Sequence, residues 1–447
     1  FPNRKKGRVM TDLSSRAIAR RRTPVTLILM ASTALVLASF AVASGARSQD
    51  SAYEPLPILK ASDLLSAELL RGDLHEILET VENDGYENSY TITSEFGTFT
   101  AHRTDYVAER VQEVYALKEL SEITKTDAFA AGVAQAATSP FRALKSLATE
   151  PVGTVTGAVR GIGALFSQAG EMVTGSRGEQ EDSAAGELVG YGLVKREVAN
   201  LLEVDPYTTN VALQDGMGEV AWAGFAGGFS LLPLTASVGG GAGIALSGLQ
   251  NSQTLNSLLT SQSPEALREL NRARLLAMMV DDEVAEAFVE NQWLSPRHET
   301  TIVAALVGLE GAKNISAMVE HATVSESENQ SIFLMRQAEA TLGFHQNVAA
   351  IVSLSLEDGA VTGITTDNRT VSAVPADHLI WSAGAKALAD QSVSGDATRE
   401  LWLTGSISDR AKAEFEQRGW AVVAEESDRL APDLDAGLVE DEDSGDE

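Results

Sequence analysis

The sequence predicts an α+β protein, mostly helical, with a Gly/Ala-rich helical middle, a helical bundle and a small C-terminal α/β module. Three observations carry that expectation. Residues 220–264 form a glycine-rich apolar stretch with no charged side chain. Serine followed by proline recurs at Ser263-Pro264 and Ser295-Pro296, each marking a capped helix start. Near the end of the chain a strand, a helix and a second strand follow one another at 400–403, 408–418 and 420–425. The boundaries drawn from these changes are a signal peptide or N-terminal anchor at 1–48 and an N-terminal α/β region at 49–126. A Gly/Ala-rich, low-charge helical region follows at 127–262, with a linker near 174–185. A helical bundle at 263–346, a small α/β module at 347–430 and an acidic disordered tail at 431–447 complete the chain.

A chain of 447 residues can bury two or three cores, and 44% hydrophobic residues is ordinary for a folded protein. Charge is uneven. The first 23 residues hold eight Lys/Arg against one acid, Asp12. From Gln49 onward there are 25 basic and 62 acidic residues, a net of −37. Such a body repels nucleic-acid phosphates, so a nucleic-acid partner is not expected. The absence of cysteine excludes disulfides, thiolate metal sites, cysteine nucleophiles and a lipidated N-terminal cysteine.

The basic residues Arg16, Arg20, Arg21 and Arg22 precede an uncharged apolar run at 25–43 that ends in small residues. This is the pattern of a secretory signal, with Ala41-Val42-Ala43 and Ser44-Gly45-Ala46 as small-x-small cleavage sites. Uncut, the run nearly suffices to anchor the chain in a bilayer. The positive flank directs export of the rest in either case.

Leucines at helical spacing predict helix over 63–81, broken at Gly72, and alternation around Glu95-Phe96-Gly97 predicts a hairpin over 88–104. Val107, Val111, Val114, Leu117 and Leu120 predict the next helix. Gly153, Gly157 and Gly161 lie four apart, a spacing that lets helix backbones approach closely in membranes or in soluble bundles. Trp222, Phe225, Phe229 and Leu232 are the large apolar side chains expected to fill that groove or to contact lipid. Pro233 splits the charge-free stretch into halves too short to span a bilayer, leaving buried core, membrane contact or glycine-rich loop as readings. Ser325 and Glu328 match a capping box. Ser263, Ser295 and Ser327 are spaced by 32, which hints at helical-hairpin repeats, although an ordinary bundle needs fewer assumptions. Gly419 sits where a helix ends in a left-handed residue.

Segments 186–210 and 402–420 (the latter WLTGSISDRAKAEFEQRGW) resemble exported envelope proteins of Gram-negative bacteria, a likeness over the latter two-thirds of the chain. The resemblance implies localisation and carries no activity or functional residue. It agrees with an envelope protein or lipid as partner.

Candidate chemistry is sparse. His298-Glu299 lacks the second histidine of a zinc helix, and His298 reads better as a solvated helix start. No metal site and no cofactor motif is predicted. Ser382, in Trp381-Ser382-Ala383-Gly384 beside Asp377 and His378, is the one candidate nucleophile. Ile380 stands where the tight turn of a nucleophile elbow wants glycine, so a helix-capping role competes. Leu403-Thr404-Gly405-Ser406 places backbone amides at a strand-to-helix turn, where an anion could sit. Asp281, Asp282 and Glu283 read as macrodipole compensation at a helix start. The favoured function is therefore non-catalytic, in the periplasm or at a membrane, with a hydrolase or a membrane-inserting protein as alternatives. Export predicts a mature N-terminus between Ser44 and Gln49, readable by mass spectrometry of the envelope fraction. Full-length protein in the cytosol would contradict it.

Overall fold

The alternating polar and apolar residues after Glu87 form the hairpin at the heart of the N-terminal sheet. β4 (Asn88–Ser94) pairs antiparallel with β5 (Gly97–His102), and Tyr90 and Ile92 are fully buried. The other edge of β4 takes β2 (His75–Ile77) and then β3 (Thr80–Asn83), with β1 (Ile58–Lys60) outside β3. This computed structural model describes residues 52–138, 189–228, 230–231, 253–357, 359–391 and 398–435, and the fold is mixed α+β and mostly helical. The signal segment, Gly153, Gly157, Gly161, the linker near 174–185, Phe229 and Leu232 lie outside the described residues.

The helix expected over 63–81 does not form. Two one-turn helices, Ala61–Leu64 and Ala67–Leu70, are followed by β2 and β3. His75, Ile77, Val81 and Asn83 are the buried positions, and in each strand the intervening residue faces outward. Pairing with β4 satisfies this segment's backbone, and that tertiary gain overrides leucine's helical preference.

Helices longer than one turn are numbered α1–α12. α1 (Val107–Thr124) covers the sheet with all five predicted apolar positions fully buried. α2 (Asp127–Thr138), α3 (Val189–Leu201) and α4 (Val211–Gly227) pack around it, joined by α5 (Gln253–Ser261). Asn210 caps α4 and left-handed Gly228 ends it. Trp222 is buried, its ring 6.1 Å from Tyr191 and 6.2 Å from Phe225. A Cβ at Gly227 would lie 1.9 Å from the Gly132 carbonyl oxygen, so α2 and α4 touch backbone to backbone. Among the described residues no helix is long and apolar enough to cross a membrane.

The 32-residue spacing has a structural counterpart. Ser263 caps α6 (Pro264–Ala277), Ser295 caps α8 (Pro296–Gly308) and Ser327 caps α10 (Glu328–Asn347). α6 packs on α8 and α8 on α10, while α7 (Asp282–Val289) packs on α9 (Ser316–Thr323). These contacts enclose Leu267, Phe288, Val303 and Met335 in one core. Ser325 is not the cap, because its hydroxyl meets Ser331 at 2.8 Å. His298 is not solvated. It is buried at the first turn of α8, where Nδ1 accepts the Ser295 N–H at 3.2 Å. Burial pushes its pKa down to about 4, so the ring is neutral.

The C-terminal sheet has the order β12-β10-β8-β7-β6, and two short strands, β9 (His378–Leu379) and β11 (Ser406–Ile407), pair parallel outside it. β6 (Ile351–Glu357) and β7 (Ala360–Thr365) are antiparallel, whereas β8 (Arg369–Val374), β10 (Thr398–Leu403) and β12 (Trp420–Val423) run parallel. α11 (Ala383–Ala389) connects β8 to β10, and α12 (Asp409–Gln417) connects β10 to β12. Leu401 and Leu403 pack with Phe415 on one face, while Trp402 meets Phe344 of α10 on the other. Helices on both faces are what a parallel sheet requires. Gly419 ends α12 with φ 82°, as its position suggested. The start of the tail is anchored: Leu434 is buried, and Gln346 exchanges two hydrogen bonds with Asp433, while 436–447 lie outside the described residues. An apolar side chain four residues into the acidic run holds it down.

Gly227→Ala should lower the denaturation midpoint by an amount equivalent to about 1–3 kcal/mol, because the methyl group has only main chain to displace. A chemical denaturation curve unchanged from the parent would show that α2 and α4 do not touch there.

Candidate functional site

The turn between β3 and β4 places the first components. Asn83 accepts the Gly85 N–H at 2.8 Å and Asp84 accepts the Tyr86 and Glu87 N–H groups, fixing a tight polar turn. Main-chain bonds then join this turn to the segment after β8, from Asp377 N–H and His378 N–H to Tyr86 O and from Ile380 N–H to Gly85 O. Asp377 completes the join by accepting Asn88 N–H at 2.9 Å and Thr104 N–H at 3.0 Å.

Arg103, at the end of β5, has φ 77°, a conformation costly for a residue with a Cβ. Its guanidinium is buried and donates to Glu87 at 3.1 Å, to Asp105 at 3.0 Å and to the Pro375 carbonyl. Asp105 is shared with Arg336 of α10 at 3.1 Å, and Arg336 also pairs with Glu339 at 2.8 Å. Arg297 of α8 joins Glu109 of α1 at 3.1 Å and Asp205 at 3.2 Å. One turn along α1, fully buried Glu113 holds Arg110 at 2.6 Å, Asn210 at 3.0 Å and the Thr208 hydroxyl. These ion pairs connect the N-terminal sheet to the stacked helices, and the Arg103 bond to the Pro375 carbonyl extends the link to the C-terminal sheet.

Four arginines thus meet seven carboxylates: Glu87, Asp105, Glu109, Glu113, Asp205, Glu339 and Asp377. Burial pushes Glu87 up to about 7 despite Arg103. Burial, aided by Asp205 and Glu113 and partly offset by Arg297, pushes Glu109 up to about 7. Burial also raises Asp377 against the pull of Arg103. The raised pKa values lessen the excess of negative charge that these carboxylates would otherwise set against the arginines.

Beside this network lies a cleft of about 680 Å³. Pro375, Ala376 and Asp377 follow β8, Thr404 and Gly405 follow β10, and Ser427 and Asp428 follow β12, so the cleft opens at the carboxyl ends of the three parallel strands. That edge is where open α/β sheets hold ligands. Arg103, Asp105, Arg297, Arg336 and Glu339 supply its charged lining, with Asp105 keeping 36% of its side-chain surface exposed. Leu64, Leu65 and Leu69 line it from the N-terminal region, and Met335, Leu430 and Leu434 from α10 and the tail. Among the described residues no group of three His, Asp or Glu side chains could hold a metal.

Ser382 does not line the cleft. Its hydroxyl caps α11 by accepting the Ala385 N–H at 3.2 Å, and it faces the Tyr86 phenol. The histidine beside it turns elsewhere: His378 Nδ1 meets Ser406 Oγ at 2.8 Å. Thr404 and Gly405 of the predicted strand-to-helix turn do reach the cleft. Trp222 and Phe225 pack with Tyr191 among α3 and α4, and Gly153, Gly157 and Gly161, the partners expected for them, lie outside the described residues. The cleft arginines went unmarked in the sequence. The available signal was a charged side chain on an otherwise buried helix, which describes both Arg297 in α8 and Arg336 in α10. No protein-family model, curated protein or solved structure matches this chain.

Glu87 and Glu109 ionise near pH 7 in the folded chain but near about 4.3 when unfolded, so folding takes up protons. Their stabilising contribution is full below the unfolded pKa and is lost as pH rises through about 7. The urea midpoint should fall from about pH 5 to about pH 8, with each carboxylate accounting for about 2–3 kcal/mol, and Glu109→Gln should flatten the profile. A slope identical in parent and variant would mean Glu109 ionises as freely folded as unfolded.

Proposed function

We propose that this chain is a non-catalytic exported protein of the cell envelope, periplasmic or membrane-associated, that holds a small molecule in the cleft at the carboxyl edge of β8, β10 and β12. Its finer architecture is an N-terminal α/β region, a Gly/Ala-rich helical middle, a helical bundle of stacked hairpins and a small C-terminal α/β module. Export rests on the basic segment and apolar run before Gln49. Protein or lipid contacts through the glycine-rich helices around Trp222 and Phe225 accompany this role.

The observation that carries the binding reading is convergence. Three strand ends of one sheet, two helices of the stack and the end of β5 all present polar groups to one cleft whose volume lies within the roughly 300–1,000 Å³ of small-molecule sites. A hydrolase remains the second reading, and its one specific support is the hydrogen bond between His378 and Ser406. Labelling of Ser406 by a serine-reactive phosphonate would favour it.

Ser66 is exposed and lines the cleft, so Ser66→Trp should fill the cleft and leave the core intact. A compound panel screened by thermal shift should contain molecules that stabilise the parent but not Ser66→Trp, since a ligand at about 100 times its Kd adds about 2.7 kcal/mol. Equal stabilisation of both proteins by every active compound would remove the cleft as the site.

A further inference from the structure

We infer that the cleft takes a single-chain amphiphile with one acidic head group, a medium-length alkyl carboxylate being the simplest case. The inference rests on the binding role proposed above and adds the ligand's chemistry.

The head group follows from unused donors. Arg103, Arg297 and Arg336 are each at least nine-tenths buried and line the cleft. Their carboxylate and carbonyl partners engage Nε and Nη1 only. Among the described residues nothing accepts from Nη2 of any of the three. Thr301, one turn beyond Arg297 on α8, also lines the cleft, and its buried Oγ1 has no partner. The carboxylates are differently placed. Of the four lining carboxylates, Asp377 already accepts main-chain N–H groups, Asp105 accepts from Arg103 and pairs with Arg336, Glu339 accepts from Arg336, and Asp428 is exposed to solvent. Spare hydrogen-bonding capacity in this lining is therefore mostly donor capacity, and it calls for an acceptor such as a carboxylate.

The tail follows from the rest of the lining. Leu64, Leu65, Leu69, Met335, Leu430 and Leu434 are aliphatic or thioether side chains, and among the described residues no aromatic ring lines the cleft to stack a sugar or a base. A flexible alkyl chain fits such a wall. The acidic exterior, net −37 beyond Gln49, argues for a monomeric ligand over an anionic membrane surface.

Isothermal titration of the chain, with ligands kept below their aggregation concentrations, tests this directly. Dodecanoate should bind, with affinity falling about fourfold per methylene removed toward octanoate. Dodecylammonium, which offers only donors, and inorganic phosphate, which has no tail, should each bind at least about tenfold more weakly. Leu64 is 39% exposed, so charge can be placed there without emptying the core. Leu64→Glu should bind dodecanoate at least about fivefold more weakly than Leu64→Lys, with both denaturation midpoints near the parent's. Equal binding of dodecanoate and dodecylammonium, phosphate binding as tight as dodecanoate, or binding only to phosphatidylglycerol vesicles would each overturn the inference. So would a Leu64→Glu variant that binds as tightly as Leu64→Lys. If alkyl acids fail to bind while Ser66→Trp blocks other compounds, the cleft remains a binding site and only this ligand class falls. If Ser66→Trp blocks nothing, both readings fall.

Discussion

Asp105 sits between Arg103 and Arg336, and the joining of the protein's parts depends on that shared carboxylate. Arg103 belongs to the end of β5, Arg336 to the last helix of the stack, and Arg103 also donates to Pro375 just beyond β8. Replacing a buried ion network by apolar side chains is often neutral, so such a network is weak evidence of net stability. Breaking it is another matter, because each unpaired charge left behind is costly. The network therefore acts mainly on arrangement: other packings of these parts would strand a buried arginine. Its surplus of carboxylates has a consequence as well. Burial raises the pKa values of Glu87, Glu109 and Asp377, so proton uptake and the docking of the parts are linked.

The backbone at Arg103 shows how closely this arrangement is specified. A positive φ at a non-glycine residue costs about 1–3 kcal/mol, and glycine would remove that cost. Glycine would also remove the guanidinium that contacts Glu87, Asp105 and Pro375. The strained conformation aims the side chain back under the Asn88 end of β4, where the Arg103 N–H meets the Asn88 carbonyl at 2.7 Å. The side chain is worth more here than relaxed backbone.

Local signals in the sequence matched local structure. The hairpin around Gly97, the helix from Val107, the serine caps at 263 and 295 and the β-α-β run ending at Val423 all announce themselves through residues close in sequence. The failures arise where a distant partner decides. Residues 75–83 carry leucine-rich neighbours, but β4 supplies the hydrogen bonds that make them strands. His298 looks like a solvated first-turn residue until the packing of α8 encloses it. The cleft is the extreme case, because its charged residues come from Arg103 to Asp428, and no spacing rule connects positions that only the tertiary fold assembles. Ser382, by contrast, was conspicuous through its neighbours and turned out to serve its own helix.

The same guanidinium groups serve cohesion and, on the reading proposed here, recognition. An arginine offers five N–H donors in a fixed plane, and the network uses those on Nε and Nη1 while Nη2 stays open. A lysine could balance the charge but could not divide its donors between a fixed partner and a ligand in this way. A ligand on Nη2 would also stiffen the pairs made by the other nitrogens, because the guanidinium is one rigid plane. Binding in the cleft and adhesion between the N-terminal and C-terminal sheets would then reinforce each other, since both draw on the orientation of Arg103. That coupling gives the carboxyl edge of the parallel sheet a reason to be closed by residues from the opposite end of the chain: the elements that complete the site are those whose docking the ligand would strengthen.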